Sequence, residues 1–293
     1  MKRMIQLHTR FLALFFCSLA VYLGFAYKIG HVIKNILKVS KHDENCFTQG
    51  LVIDGEKEVL YESCGLHGKS SLRKLDLNTF QILKQRKIPR SIFAEGITLI
   101  NNYIFMLTWK NKILYTYDAD TLKLVAKMGI STKNDEGWGI TTDGKQLIVS
   151  DGTDYLSFFE IPTIDPPSSE ILHEPINPSQ EKQLVKIREV RVYDPVNTRS
   201  ISHINELEYV NGYVFANIWY QDIIIQINPE NGHIVERYDL SKIFPREKRN
   251  PHADCLNGIA FNEKDKSFLV TGKLWSKYFH INFTKVFEDR EFL

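Results

Sequence analysis

The chain has 293 residues, of which 43% are hydrophobic and 25% are charged, so it can build a large core and is neither disordered nor fibrous. Its formal net charge of +2 hides an asymmetry, because residues 1–41 carry seven Lys/Arg and no acidic residue, whereas the remainder carries 30 basic and 35 acidic residues. This mildly acidic body argues against nucleic acid as the partner.

The N-terminal segment contains an uncharged apolar run over residues 11–27, preceded by three basic residues. This pattern is typical of a secretory signal peptide or of a signal anchor. Gly24-Phe25-Ala26 offers a small-x-small cleavage site, whereas the length of the run approaches that of a membrane-spanning helix. Basic residues flank both ends of the run, so charge bias does not fix its orientation.

We therefore predict a hydrophobic helix within residues 1–30, either a signal peptide or a signal anchor, with a buried core helix as the less favoured alternative. Residues 31–293 are expected to form one domain that enters the secretory pathway. That domain is secreted if the segment is cleaved, and faces the lumen or the exterior as a single-pass membrane protein if residues 11–30 remain. We expect it to be monomeric.

The cysteines do not form a disulfide-rich pattern. Cys17 lies in the hydrophobic run, which leaves Cys46, Cys64 and Cys255 in the body. One bridge with a spare thiol is compatible with an oxidising compartment, and three buried free cysteines are equally compatible with the sequence. In the secretory pathway, Asn282-Phe283-Thr284 is a glycosylation sequon.

From residue 45 onward, short apolar runs with period-2 alternation predict an all-β body. Tyr103–Leu107 and Tyr213–Asn217 are examples, and Asn101-Asn102 and Asn211-Gly212 precede them, where tight hairpins favour residues that tolerate positive φ. We find no helical periodicity of useful length.

The predicted strands recur as a unit with five copies. Each copy opens on a similar step, namely Gln49-Gly50-Leu51, Glu95-Gly96-Ile97, Trp138-Gly139-Ile140, Glu206-Leu207-Glu208 and Asn257-Gly258-Ile259. The starts are 46, 43, about 67 and about 52 residues apart, close to the ~40–50 residues of a four-stranded propeller blade. This spacing predicts a five-bladed β-propeller, with a solenoid or a two-sheet sandwich as the alternative.

Two segments of the sequence depart from the regular repeat, and each has a structural interpretation. Residues 162–180 hold five of the ten prolines, so we interpret the long third interval as a loop insertion. Residues 31–40 are expected to supply a strand that closes the ring against the last blade, which would remove an exposed sheet edge.

The register of the repeats predicts which side chains share one end of the central channel. Gln49, Glu95, Trp138, Asn205 and Asn257 occupy one equivalent position, just before the Gly-aliphatic step. A second series follows 14 to 16 residues later and consists of Trp109, Gly152, Trp219 and Lys273. Aromatic walls with a few convergent polar groups are typical of a small-molecule site. A structural role for each residue taken singly is the alternative.

Other chemistries receive less support from the sequence. It contains no HExxH motif, no CxxC pair and no two histidines in register, so a zinc enzyme is not indicated. A calcium-dependent lactonase-type propeller should present several axial carboxylates, whereas the register contains only Glu95. A propeller that binds a peptide terminus or a sugar without catalysis would explain the aromatic pocket equally well, but gives no reason for Glu95 and Lys273 to face it together.

Eight motifs in chain order resemble the plant and bacterial type of glutaminyl cyclase. They are Phe47–Leu51, Phe93–Ile97, Glu136–Gly139, Asp151-Gly152, Asn205–Glu208, Asn217–Trp219, Leu256–Ala260 and Thr271–Trp275. The resemblance implies a five-bladed propeller that converts the N-terminal glutamine of peptides into pyroglutamate and releases ammonia. It also implies that catalysis needs no metal or other cofactor, and it leaves room for a structural metal in the central channel.

The resemblance further implies a role for each matching position. Glu95 corresponds to the catalytic proton-transfer residue. The substrate-binding positions are Phe47, Gln49, Phe93, Trp109, Trp138, Asn205, Trp219 and Lys273. The expected partners are therefore peptides or proteins with an N-terminal glutamine.

Overall fold

A computed structural model describes residues 31–33, 35–164 and 182–283 of the chain. The described residues form five sheets arranged as the blades of a propeller, in agreement with the five predicted repeats. The predicted N-terminal helix and most of the proline-rich insertion lie outside these residues. No helix among the described residues is long and apolar enough to cross a membrane.

The first two strands, β1 (His31–Val32) and β2 (Ile36–Lys41), join sheets that the chain forms later. Blade I contains β3 (Thr48–Asp54), β4 (Val59–Cys64), β5 (Ser71–Asp76) and β6 (Ile82–Lys87). Blade II contains β7 (Ala94–Ile100), β8 (Tyr103–Thr108), β9 (Ile113–Asp118) and β10 (Leu124–Gly129). Blade III contains β11 (Ile140–Thr142), β12 (Gln146–Ser150), β13 (Tyr155–Glu160) and β14 (Lys186–Arg191).

A short hairpin, β15 (Tyr193–Asp194) and β16 (Arg199–Ser200), connects blade III to blade IV. Blade IV contains β17 (Ile204–Val210), β18 (Tyr213–Ile218), β19 (Ile223–Ile227) and β20 (Ile234–Asp239). A 3₁₀ turn, Arg246–Lys248, leads to blade V, which contains β21 (Leu256–Asn262), β22 (Ser267–Gly272) and β23 (Lys277–Ile281). Within each blade, consecutive strands pair antiparallel.

The predicted closing strand is confirmed and its extent is now defined. β2 pairs antiparallel with β23 and so becomes the outermost strand of blade V. β1 does not belong to that blade, because it pairs in parallel with β20 of blade IV. The N-terminal stretch therefore joins two neighbouring blades and leaves neither β20 nor β23 as an open edge.

The hairpin turns follow the predicted residue types. Asn101 and Asn102 both have positive φ, as do Asn211 and Gly212, which is the geometry of a type I′ turn. The long third interval has two causes rather than one. The proline-rich residues 162–180 fall between β13 and β14, and the β15–β16 hairpin adds a second extension that composition alone did not reveal.

The innermost strands approach one another closely because glycine occupies the same position in four blades. A Cβ on Gly50 would lie 2.5 Å from the backbone nitrogen of Ile97, and one on Gly139 would lie 2.0 Å from the carbonyl oxygen of Asn205. Blade IV has Glu206 at this position instead. Its carboxylate accepts hydrogen bonds from the backbone N–H groups of Leu51 in blade I and Ile259 in blade V, and therefore reaches across the central channel.

The junction between blades I and V is held by a buried polar network and a disulfide. Nε2 of His42 lies 2.9 Å from Oε1 of Glu62, which also accepts a 3.0 Å hydrogen bond from the hydroxyl of Thr48. Although burial by itself raises the pKa of Glu62, His42 and Arg73 hold it below its ordinary value. Cys46 is bonded to Cys64, and Cys255 is a buried free thiol, so one bridge with a spare thiol is the arrangement present.

The predicted glycosylation site lies at the end of the described chain. Asn282 is half-buried and Phe283 is fully buried between the aromatic rings of blades IV and V, with its ring centroid 4.1 Å from that of Tyr238. Thr284 lies outside the described residues.

Candidate active site

The eight predicted binding positions and Glu95 line one cavity of about 170 Å³ at one end of the propeller. The first series precedes or opens the innermost strands, and the second series directly follows the neighbouring strands. Since the two strands of a hairpin run antiparallel, the start of one and the end of the next lie at the same end of a blade. The structure thus brings together seven of the nine register positions, along with Phe47 and Phe93 from the resemblance, whereas the role of each residue remains a proposal.

Two glycines in the second series explain why not every blade contributes a side chain there. A Cβ on Gly65 of blade I would lie 2.4 Å from the ring of Phe93 and 2.9 Å from Cγ of Gln49. A Cβ on Gly152 of blade III would lie 2.7 Å from the ring of Trp138. Glycine at these two positions gives Phe93 and Trp138 the space to lie in the cavity wall. The sequence register identified Gly152 but missed Gly65.

Glu95 is the central titratable group of the cavity. Its side chain is only 5% exposed, and no hydrogen bond from a described residue reaches its carboxylate. Burial raises the pKa of Glu95 well above its ordinary value; Lys273 opposes this shift and Glu136 adds to it. The raised pKa means that Glu95 keeps its proton to higher pH than an exposed glutamate does, which favours its use as a general acid and base.

Lys273 and Asn205 present unused polar groups to the same cavity. Lys273 is 4% exposed, makes no ion pair with any described carboxylate, and places Nζ 4.9 Å from the ring centroid of Phe47. Oδ1 of Asn205 is buried without a hydrogen-bond partner among the described residues. Buried polar groups are normally paired, so these two are available to a ligand.

Asn257 has a supporting position instead of a place in the cavity wall. Its Nδ2 donates a 3.0 Å hydrogen bond to the carbonyl oxygen of Thr48 and lies 3.4 Å from Oε1 of Gln49. The equivalent residue of blade V therefore holds the segment that carries Gln49.

The cavity walls consist of two aromatic groups. Phe47, Phe93 and Trp109 form the first, with centroids 6.3 Å and 5.6 Å apart in edge-to-face geometry. Trp138 and Trp219 form the second, 5.3 Å apart and nearly perpendicular. Such edge-to-face pairs fix ring orientation and exclude water from the space between the walls.

Glu136 is the most informative residue that sequence reasoning missed. Its Oε2 accepts hydrogen bonds of 2.7 Å from Nε1 of Trp109 and 2.9 Å from Nε1 of Trp138. One carboxylate thus joins the two aromatic groups and also influences Glu95. The sequence feature that could have identified Glu136 is its place in the Glu136–Gly139 motif, two residues before the register position Trp138.

Tyr220 and Asp254 also line the cavity and were not predicted. Tyr220 follows Trp219 directly, with the two rings 4.5 Å apart. Asp254 precedes Asn257 by three residues, and its carboxylate is the main cause of the raised pKa of Tyr220. Neither residue belongs to the two series that the repeat register compared.

Two further groups of ionisable residues lie outside the cavity lining. Glu206, one residue after the register position of blade IV, is an axial carboxylate outside the register, and both of its oxygens already accept backbone N–H groups. Among the described residues, the ligand atoms of His42, Cys46 and Glu62 lie within 4.8 Å of one another, as at a metal site. The sulfur of Cys46 is bonded to Cys64, which leaves a histidine–carboxylate pair.

Comparison with known proteins gives a consistent result. A family model described as glutamine cyclotransferase matches residues 24–283. The chain is similar to a glutaminyl-peptide cyclotransferase from Arabidopsis thaliana, with 36% identity over 262 residues that cover 88% of this chain and 74% of the relative. Among solved structures it is similar to the glutaminyl cyclase of Myxococcus xanthus, with 29% identity, a TM-score of 0.69, and coverage of 86% of this chain and 96% of the other.

Proposed function

The chain belongs to the glutamine cyclotransferase family, whose enzymes include the relatives above, and we propose that it converts the N-terminal glutamine of peptides and proteins into pyroglutamate with release of ammonia. The observation that carries this proposal is the buried Glu95 carboxylate, open to a cavity that also holds the Lys273 amine, which has no ion-pair partner among the described residues, and the unpartnered Oδ1 of Asn205.

The proposed reaction needs no nucleophile from the enzyme. The α-amine nitrogen of the substrate attacks its own side-chain carboxamide carbon, a C–N bond forms, and the bond to the departing amide nitrogen breaks. One proton must leave the attacking nitrogen and one must reach the leaving nitrogen. Glu95 is the group proposed to accept the first proton and return it, so that ammonia departs and the carboxylate is regenerated.

Lys273 is proposed to stabilise the oxygen of the tetrahedral intermediate. Its ammonium is buried and without a described ion-pair partner, so its charge is available where negative charge develops. Asn205, through its unpartnered Oδ1, is suited to accept an N–H from the substrate. Gln49, whose Oε1 lies 3.4 Å from Nδ2 of Asn257, is proposed to make a further polar contact with the substrate.

The aromatic walls contribute by positioning. A glutamine side chain is flexible, and cyclisation requires its two reacting ends to approach. A narrow cavity with fixed rings restricts the conformations that the side chain can adopt, and holding reactants near attack geometry can supply several kcal/mol. Water exclusion by Trp109, Trp138 and Trp219 also maintains the raised pKa of Glu95.

The test is to incubate the purified chain with a glutaminyl dipeptide, measure ammonia in a coupled assay, and identify the cyclised product by mass spectrometry. We expect ammonia and pyroglutamyl peptide in equal amounts. A folded protein that binds the dipeptide without releasing ammonia would instead support the non-catalytic receptor.

We further propose that the propeller works in the secretory pathway, tethered by residues 11–30 or released after their cleavage. The apolar run in the sequence and the Cys46–Cys64 bridge support this location, since disulfides persist mainly in oxidising compartments. N-terminal sequencing of the protein purified from cells, together with protease protection of isolated vesicles, tests both alternatives.

A further inference from the structure

A second cavity adjoins the candidate active site. It has a volume of about 430 Å³ and shares two lining residues, Tyr220 and Asp254, with the first cavity. Of its other lining residues, Asp222 lies in the β18–β19 turn, and Arg246 and Arg249 belong to the segment between blades IV and V, which the function proposed above does not use. The two cavities therefore lie on either side of a common wall.

Tyr220 forms part of this wall and is 68% exposed. Its backbone φ is +60°, and Leu274 of blade V has the same φ of +60° at the equivalent position after the second strand. The left-handed turn is therefore a feature of the blade, and it is not special to Tyr220. The ring of Tyr220 lies 4.5 Å from that of Trp219 and is tilted by 32° to it, so Tyr220 packs against the wall of the first cavity.

The second cavity is lined by two arginines and two aspartates, of which Arg249 and Asp222 form an ion pair. Arg249 forms a 2.6 Å ion pair with Asp222 and lies over the ring of Trp275, at 4.3 Å from its centroid. Arg246 is exposed and makes no ion pair with a described residue; Nη1 donates a 2.5 Å hydrogen bond to the carbonyl oxygen of Ala253. Arg246 thus supplies a positive charge that has no ion-pair partner among the described residues, in a cavity that the Asp254 carboxylate also lines.

The place of Arg246 beside the lining shared with the first cavity suits a peptide substrate. Ala253 directly precedes Asp254, so the guanidinium of Arg246 lies within one residue of the common wall. An extended peptide advances about 3.3 Å per residue. A substrate with its first residue in the Glu95 cavity would therefore bring the side chain of its second or third residue to Arg246.

Resting on the function proposed above, we propose that the second cavity receives the second and third residues of the glutaminyl peptide, and that Arg246 makes acidic side chains preferred there. The structure thereby assigns Arg246 as a specificity-determining residue. Glutaminyl peptides with Asp or Glu at one of these positions are the substrate class that follows.

The experiment compares kcat/KM for Gln-Glu-Ala, Gln-Ala-Glu, Gln-Lys-Ala and Gln-Ala-Lys with the wild-type chain. At low ionic strength we expect kcat/KM for at least one glutamate-containing peptide to be about three- to fivefold higher than for its lysine counterpart, which is the scale of an exposed ion pair. The preference should shrink in concentrated salt, which screens exposed charges.

Two variants at Arg246 localise the effect. Arg246→Glu is expected to abolish or invert the preference, and Arg246→Lys to retain it. The matched control is Lys145→Glu, which makes the same charge change in the β11–β12 turn at the opposite end of the propeller and should leave the preference intact.

The outcomes separate this inference from the proposed function. Cyclisation of all four peptides at equal kcat/KM by the wild type would overturn the role of Arg246 and leave the proposed function standing. A preference that survives Arg246→Glu would overturn it as well. Failure of the wild type to release ammonia from any glutaminyl peptide would overturn the proposed function itself.

Discussion

Oε2 of Glu136 accepts a 2.7 Å hydrogen bond from Nε1 of Trp109. The same oxygen accepts a hydrogen bond from Trp138, so one carboxylate fixes two indoles from different parts of the cavity wall. Because Glu136 also raises the pKa of Glu95, it links the shape of the cavity to the protonation of its central carboxyl group. It is a positioning residue whose effect should be measurable in a pH profile.

Glu136→Gln is expected to shift the acidic limb of the kcat/KM profile to lower pH. The base form of Glu95 is its carboxylate, so activity rises as pH passes through the pKa of Glu95. Burial is the main cause of the raised pKa of Glu95, and the negative charge of Glu136 raises it further. Removing that charge should therefore lower the pKa of Glu95, while the amide oxygen of glutamine can still accept hydrogen bonds from the indoles. Asp135→Asn removes a neighbouring exposed charge and serves as the control. An unchanged or upward shift in Glu136→Gln would contradict this account.

Glu95→Gln is expected to reduce turnover by at least ~10²-fold, the usual scale of general acid–base catalysis, while the fold is retained. Ammonia release from a glutaminyl dipeptide measures the effect, and circular dichroism checks the fold. Near wild-type turnover in the folded variant would rule out Glu95 as the proton-transfer residue.

Glu95→Gln should also have a larger free energy of unfolding than the wild type at pH values above the ordinary pKa of a glutamate. Because the folded-state pKa of Glu95 is raised, the folded chain binds more protons than the unfolded chain, and stability falls as pH rises from about 4.3 through the raised value. Glutamine carries no charge to bury. Thermal unfolding at pH 4 and pH 8 should show that the gain in Tm from Glu95→Gln is larger at pH 8; an equal gain at both would contradict the pKa assignment.

Gly65→Ala is expected to lower kcat/KM by about tenfold or more with little change in global fold. The new methyl group would lie 2.4 Å from the Phe93 ring, which must move out of the cavity wall, and misplacement near a site of this kind is costly. Gly55→Ala is the matched control, since a Cβ there meets nothing within 4 Å. Equal activities for the two variants would show that the position of Phe93 is unimportant.

Loss of the Cys46–Cys64 bridge is expected to destabilise the chain by about 3 kcal/mol, given the 18-residue separation of the two cysteines. KM for a glutaminyl peptide should also rise, because Phe47 directly follows Cys46, whose carbonyl oxygen accepts the N–H of Leu274 beside Lys273. The double variant Cys46→Ser/Cys64→Ser is compared with Cys255→Ser in thermal unfolding and kinetics. A similar Tm for both would contradict a stabilising bridge.

Dialysis against a strong zinc chelator is expected to leave turnover unchanged. The proton transfers are assigned to Glu95 and the charge stabilisation to Lys273, both of which are side chains of the chain itself. Ammonia release before and after dialysis measures the effect. Loss of activity that added zinc restores would show that this assignment is wrong.

Much of the candidate site was predictable because it repeats. Strand alternation and hairpin length place Gln49, Glu95 and Asn205 at equivalent positions, and the same register carries Trp109, Trp219 and Lys273 to the same end. Glu136, Tyr220 and Asp254 belong to neither of the two series that the register compared, so the register did not identify them. The extent of the closing strand was also unpredictable, because both β1 and β2 pair with strands more than 200 residues away in the chain.

The sequence alone determined the five blades, their order, and the end of the channel at which Glu95 lies, because these depend on local periodicity and turn residues. Only the tertiary structure decided what surrounds Glu95: the carboxylate of Glu136 between two indoles, the unpaired Lys273, and the second cavity beside Asp254. Each of these depends on side chains from different blades or from the segment between them. Contacts of this kind are set by how the blades pack, and no pattern within a single repeat encodes them.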